Sequence, residues 1–308
     1  MAAFVDAGIT TFDCADIYTG VEERIGEFVK TSGREIEVHT KYVPDLATLA
    51  SVDLSGTRAI IERSLTRLRR DRLDVVQFHW WDYAVNRSVD VALNLDTLRR
   101  EGLIRHIGVT NFDTAHLGAI LDAGVPVVSH QVQYSLLDRR PAASMSALAA
   151  ERGFTFLCYG ALLGGFLSER WLGAPEPREP LENRSLTKYK LIIDEAVGWA
   201  GFQEVLKSAG AIAAKHSVPR GQAGALTIGA IGIAWVLTQP QVAAVIVGGR
   251  NAKHLPQTLA ALDVALDGAD LEALDRAAGR GVPGEVYELE RDREGRHGRI
   301  MKYNLSTS

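Results

Sequence analysis

Short apolar runs alternate with amphipathic stretches along most of the chain. The runs cover residues 9–13, 35–41, 73–79, 104–110, 126–134, 154–159 and 241–248. Most are rich in Val, Ile, Phe or Thr and apolar at successive positions, so both faces of each strand are expected to be buried, as in a parallel sheet. The stretches between them have helical spacing. Ile61, Leu65 and Leu68 share one face, as do Leu117, Ile120 and Leu121 behind Asp113, which is placed to cap a helix. Gly33, Gly102, Gly124 and Gly153 stand where helices should stop. Repeated β-then-α order predicts an α/β fold with a parallel sheet, open or closed.

Two segments break the rhythm. Residues 160–190 are too long for an idle connection and read as a lid or binding loop. Residues 279–308 are charged and irregular, either a mobile tail or a loop folded over one end of the domain. No repeat or linker marks a second domain, so 1–308 is expected to be one.

Composition narrows the function classes. Net charge is −4, with both signs interspersed, so neither a nucleic-acid partner nor an anionic membrane is expected. The two cysteines, Cys14 and Cys158, form no CxxC pair and no disulfide framework. The start of the chain has no basic, apolar leader, and its longest apolar stretch, 223–237, is broken by Gly229 and Gly232. A reducing cytoplasm is the expected compartment. The histidines lack the HExxH spacing of a catalytic zinc site, so no metal is expected. Gly279-Arg-Gly-Val-Pro-Gly284 matches GxGxxG, but it follows a helical segment and contains proline, so it is not read as a dinucleotide fingerprint.

The reactive side chains fall at the ends of the runs. Asp13 closes the first, Lys41 the second and His79 the third. Thr110 and Asn111 end the fourth, Gln131 lies late in the fifth and Tyr159 ends the sixth. Gly248, Gly249 and Arg250 follow the seventh. In a barrel of parallel strands the carboxyl ends share one face, which carries the active site.

In that order the segments resemble the aldo-keto reductase superfamily. They are Gly8-Ile-Thr-Thr-Phe-Asp13-Cys-Ala-Asp-Ile-Tyr18, His39-Thr-Lys41-Tyr, Gln77-Phe-His79-Trp-Trp-Asp, Ile107-Gly-Val-Thr-Asn-Phe112, Gln131-Val-Gln-Tyr-Ser135 and Val245-Ile-Val-Gly-Gly-Arg-Asn251. The resemblance implies a (β/α)8 barrel and reduction of an aldehyde or ketone, or the reverse, with a nicotinamide cofactor. It implies Tyr18, Asp13, Lys41 and His79 as catalytic residues. It assigns Thr110, Asn111 and Gln131 to the nicotinamide amide, Tyr159 to its ring, and Gly248, Gly249 and Arg250 to phosphate. The match begins partway through the family's first helix, so its opening strand and hairpin are expected to lie before residue 1.

The residue types suit that chemistry. Carbonyl reduction adds hydride to carbon and a proton to oxygen. A free tyrosine titrates near ~10, and an ammonium beside it favours the phenolate. Tyr18 is therefore the expected general acid, Lys41 its tuner and Asp13 the group that holds Lys41. A neutral His79 is expected to donate to the substrate oxygen as charge develops there. Trp80 and Trp81 either line a pocket for a small carbonyl substrate or roof the barrel. Arg250 favours NADP(H) over NAD(H), since guanidinium forks match phosphate oxygens. Gly248 and Gly249 replace a lysine and serine found in some relatives, and His130 stands where the family often has asparagine. The alternative to an enzyme is a cofactor-binding regulatory subunit with little turnover.

Overall fold

The structure is a computed structural model describing residues 1–217, 225–249 and 251–301. The chain forms two compact units. One contains residues 1–131 and 148–155 with Met301, the other 132–147 and 156–300.

The first unit opens with α1 (Ala2–Asp6) and then alternates β1 (Thr11–Asp13), α2 (Val21–Ser32), β2 (Glu37–Tyr42), α3 (Leu54–Leu68), β3 (Leu73–Phe78), α4 (Ser88–Arg100), β4 (Ile104–Thr110) and α5 (Thr114–Asp122). The strand β5 (Val127–Gln133) follows, its last two residues belonging to the second unit. Each strand pairs in parallel with the next: Asp13 lies opposite His39, Lys41 opposite Gln77, Gln77 opposite Gly108, and Thr110 opposite Gln131. Val38, Val75, Val76, Phe78, Ile107 and Val109 are buried, which is why these strands read as continuous apolar runs. The expected helix faces cover them: Ile61, Leu68, Leu117 and Ile120 are buried. Each such side chain stabilises the unit by roughly 1.5–3 kcal/mol. Asp113 caps α5 by accepting from His116 N–H at 2.8 Å, and the four glycines expected to stop helices all have positive φ.

A helix shared by both units, α6 (Ser144–Arg152), leads to β6 (Thr155–Tyr159). The second unit continues with α7 (Arg184–Ala196), α8 (Gly198–Ser217), α9 (Ile228–Leu237), β7 (Val242–Val245), α10 (Leu255–Ala260), α11 (Gly268–Ala278) and α12 (Glu288–Arg291). Here β6 pairs in parallel with β7, with Phe156 opposite Val242 and Cys158 opposite Val245. The 160–190 segment is folded: two 3-10 turns lead into α7, and Phe166 packs on Trp171, Trp199 and Phe202 with centroids 4.8–6.3 Å apart.

The segment after Gly279 is folded up to Ile300. Val282 bridges to Asp138, which takes the GxGxxG segment into a loop contact, and Glu290 of α12 is buried against Arg140 at 2.8 Å. Seven strands occur among the described residues, within two residues of the expected ends except for the last, which stops at Val245.

Candidate active site

The register of β1 to β5 puts Asp13, Lys41, Gln77, Thr110 and Gln131 on one face, because residues paired across parallel strands, and those two apart along a strand, point the same way. Asp13 is the hub. Its Oδ2 accepts from Lys41 Nζ at 2.7 Å. Its Oδ1 accepts from Gln77 Nε2 at 2.8 Å and Gln131 Nε2 at 2.7 Å. Gly108 keeps this face open between them: a Cβ there would lie 2.6 Å from Ser129 Oγ and 3.3 Å from Gln77 Cγ. Lys41 also donates to the Cys14 carbonyl at 2.9 Å, so two acceptors fix its ammonium in a buried position.

That ammonium stands 5.6 Å from the centroid of the Tyr18 ring. Tyr18 sits in the turn after β1 and is 43% exposed, so its phenol is open to an incoming molecule. Arg67 of α3 secures the turn by donating to the Asp16 carbonyl at 3.0 Å. It also pairs with buried Glu22 at 3.4 Å, which accepts from Thr40 at 2.6 Å. Burial pushes the Asp16 carboxyl up to about 7; Val43 N–H, at 3.4 Å, and Arg63, at 4.0 Å, oppose the rise only in part. Burial also pushes the Cys14 thiol up to about 12, which leaves it a poor nucleophile.

His79 follows β3 and is buried, its Nδ1 3.1 Å from the Thr110 carbonyl. A carbonyl only accepts, so Nδ1 carries the proton. Donation from Nε2 then requires a second proton on the ring, which changes the expectation of a neutral donor. The ring of Trp81 meets His79 edge-on at 4.5 Å and is held through its Nε1, which donates to the Pro44 carbonyl at 2.9 Å. Trp80 is 1% exposed, packs on Phe78 and donates to the carbonyls of Asp82 and Val85. Its indole N–H is thus spent on carbonyls of the loop that follows β3.

The residues expected to meet the nicotinamide amide lie beside this cluster. Thr110 Oγ1 donates to the Gln131 carbonyl at 3.1 Å, and Asn111 adopts φ 62°, a left-handed turn its short amide tolerates. Gln131 spends one of its two amide hydrogens on Asp13. His130 has a structural role: its Nε2 accepts from Phe112 N–H at 3.1 Å, and burial lowers its pKa to about 3, keeping it neutral. Gln77 escaped the sequence reading. Its one signal is its position two residues before His79, on the same face.

Tyr159, Gly248 and Gly249 lie in the second unit, and Arg250 falls outside the described residues. Tyr159 is half-buried. Gly248 is exposed, with nothing within 4 Å of where a Cβ would be, so a ligand can approach its backbone. The same unit holds a pocket of about 520 Å³ whose wall includes Leu162, Ile233, Glu169, Arg170, His254 and Gln257. That volume lies in the range of small-molecule pockets. Among the described residues no cluster of three or more His, Cys, Asp or Glu side chains is arranged to hold a metal. No described helix is long and apolar enough to cross a membrane.

Known proteins resemble the chain over most of its length. It is 29% identical over 294 residues to the chloroplastic pyridoxal reductase of Arabidopsis thaliana, covering 89% of this chain and 74% of the relative. It is 28% identical over 245 residues to flagellar radial spoke protein 5 of Chlamydomonas reinhardtii, of which it spans 46%. The glycerol dehydrogenase AKR11B4 from Gluconobacter oxydans shares the fold, with a TM-score of 0.74 at 24% identity over 92% of this chain and 85% of the other. The expected fold class, alternating strands and helices of the (β/α)8 barrel type, is therefore shown. Residues 1–278 match the sequence profile described as the Aldo/keto reductase family, and the chain belongs to that family.

Proposed function

We propose that the chain reduces small aldehydes or ketones to alcohols, or runs the reverse oxidation, with Tyr18 as proton donor. The observation that carries this reading is the Asp13-held ammonium of Lys41, 2.7 Å from the carboxylate and 5.6 Å from the Tyr18 ring. A bound nicotinamide would supply the hydride. Tyr18 gives its proton to the carbonyl oxygen, and Lys41 stabilises the charge left on the phenol. Asp13 keeps Lys41 in place, and Gln77 keeps Asp13 in place. His79, when Nε2 carries a proton, donates to the same carbonyl oxygen.

In this reading Thr110, Asn111, Gln131 and Tyr159 hold the nicotinamide, and the open backbone at Gly248, with Gly249 next to it in sequence, meets phosphate. NADP(H) is preferred over NAD(H), because Arg170 lines the pocket and Arg250 follows Gly249 in sequence. Relatives named for pyridoxal reduction and methylglyoxal reduction support small carbonyl compounds as the substrate class. A second reading, a cofactor-binding subunit with little turnover, draws on the relative named for the flagellar radial spoke.

One experiment separates them. The purified chain is mixed with NADPH and a panel of small aldehydes, beside Tyr18→Phe. The reductase reading expects aldehyde-dependent loss of NADPH, a rate lower by roughly 10²–10⁴ in Tyr18→Phe, and retained NADPH binding by fluorescence. NADPH binding without turnover on any aldehyde is the outcome of the second reading.

A further inference from the structure

The turn that carries Tyr18 is attached to its neighbouring strand through a buried acid that the proposed reaction does not use. Asp16 stands two residues before Tyr18, and its side chain is 1% exposed. Both residues lie in the first unit, as do the groups around them. Asp16 meets the end of β2 twice. Its N–H donates to the carbonyl of Lys41 at 3.4 Å, and its Oδ2 accepts from Val43 N–H at 3.4 Å. Both bonds are long. Tyr18 is tied mainly to its own turn: its N–H donates to the Ala15 carbonyl at 3.0 Å, and its carbonyl accepts from Val21 N–H at 3.1 Å. The placing of Tyr18 beside the Lys41 ammonium therefore passes through Asp16.

The carboxyl itself is poorly provided for. Its Oδ1 has no hydrogen-bond partner among the described residues. The ionisable side chains that face it are Glu22 of α2, Arg63 and Arg67 of α3, and Tyr42 of β2. Arg67 donates to the backbone carbonyl of Asp16 and pairs with Glu22 and Glu23. Arg63 lies 4.0 Å from Oδ2 and is 43% exposed, so water screens it. Burial, followed by Glu22, disfavours the charged form against Val43 N–H, Arg63 and Ile17 N–H, and the carboxyl titrates near 7. Once ionised, it gains by leaving these surroundings for Arg63 and water. With both bonds to β2 long, the turn is the part that follows it.

We infer that the Asp16 carboxyl is a positioning group for Tyr18 that makes proton delivery depend on pH: neutral, it keeps the turn on β2; ionised, it releases it. The inference rests on the reductase reading for its effect on turnover, but not for the movement of the turn.

Hydrogen exchange read by mass spectrometry follows the amides of residues 15–21 between pH 6 and pH 8, corrected for intrinsic exchange, with the amides of β3 as reference. Wild type, Asp16→Asn and Arg63→Met are compared, with folding checked by circular dichroism. Wild-type protection of the turn is expected to fall about tenfold across this range, as the fraction of neutral carboxyl does, while β3 keeps its own. Asp16→Asn should hold its protection throughout. Arg63→Met removes a cation that favours the ionised form, so its fall should move to higher pH. The single-turnover rate of aldehyde reduction with NADPH should follow the same three curves. Any further loss of rate from the Tyr18 proton itself stays in Asp16→Asn. Turn protection that does not change with pH in wild type overturns the inference, as does the same fall in Asp16→Asn. An unmoved fall in Arg63→Met overturns it too, and that surface variant decides alone should Asp16→Asn not fold. A rate that stays level from pH 6 to pH 8 overturns the inference and leaves the reductase reading standing. A turn that opens with Asp16 in a chain that reduces no aldehyde sinks the reductase reading and supports the movement.

Discussion

At the scale of single residues the candidate site is organised around one carboxylate. Asp13 is held by Lys41, Gln77 and Gln131, so removing any donor frees the ion pair to move. A hydrogen bond to a charged group contributes roughly 1.5–3 kcal/mol. Gln77→Leu is therefore expected to lower kcat about tenfold or more while leaving the fold intact; steady-state kinetics with unchanged kcat would contradict the hub. Asp13, Lys41 and His79 were legible because few residue types suit proton transfer and each ends an apolar run. Gln77 was not, since a strand glutamine carries no chemical signature until its acceptor is known. Asp16 offers a separate test. Its carboxyl titrates near 7 in the folded chain against a usual 3.8, so the folded state holds the proton more tightly. That contribution is complete below about pH 4 and is lost as pH rises to 7, on the order of 4 kcal/mol in all. Asp16→Asn, neutral throughout, should be more stable than wild type at pH 8 and lose its advantage by pH 4. Parallel urea-unfolding profiles for the two proteins would rule this out.

At the scale of elements, strands were easier to read than the short helix near the chain's end. Both faces of β2 to β5 are buried, and that burial is what writes an uninterrupted apolar run into the sequence. The four-residue α12 is charged at nearly every position, and a charge run ordinarily marks a solvated face. Its Glu290 is instead buried against Arg140, a pairing 150 residues apart that no local pattern announces. Breaking a buried pair leaves an uncompensated charge and costs about 3–5 kcal/mol. Glu290→Gln should lower stability by that order in denaturant unfolding; a loss within experimental error would mean that α12 is not anchored by the pair. Arg140 also holds the Glu290 carboxyl down to about 2, against a usual 4.5. The stability this supplies is present above about pH 4.5 and falls away as pH drops toward 2, a slope Glu290→Gln should lack.

For the molecule as a whole, what sequence could convey was order. Seven runs with their polar ends predict the alternating fold and the residues that share a face, and the family profile across residues 1–278 agrees with that order. What it could not convey was direction in space: that the Trp80 indole N–H meets the carbonyls of Asp82 and Val85, and that His79 Nδ1 donates a hydrogen bond to the Thr110 carbonyl. Those depend on where backbone groups end up. The central claim is that Asp13, Lys41 and Tyr18 form a proton-delivering site for hydride addition to a carbonyl. It is tested most directly by single turnover with NADPH deuterated at the transferable position and a small aldehyde, reading deuterium in the product by mass spectrometry. The account predicts deuterium on the carbinol carbon with wild type and a rate lower by roughly 10²–10⁴ with Tyr18→Phe. Alcohol formed at the wild-type rate by Tyr18→Phe, or no deuterated alcohol from the wild-type protein with any aldehyde, would contradict it.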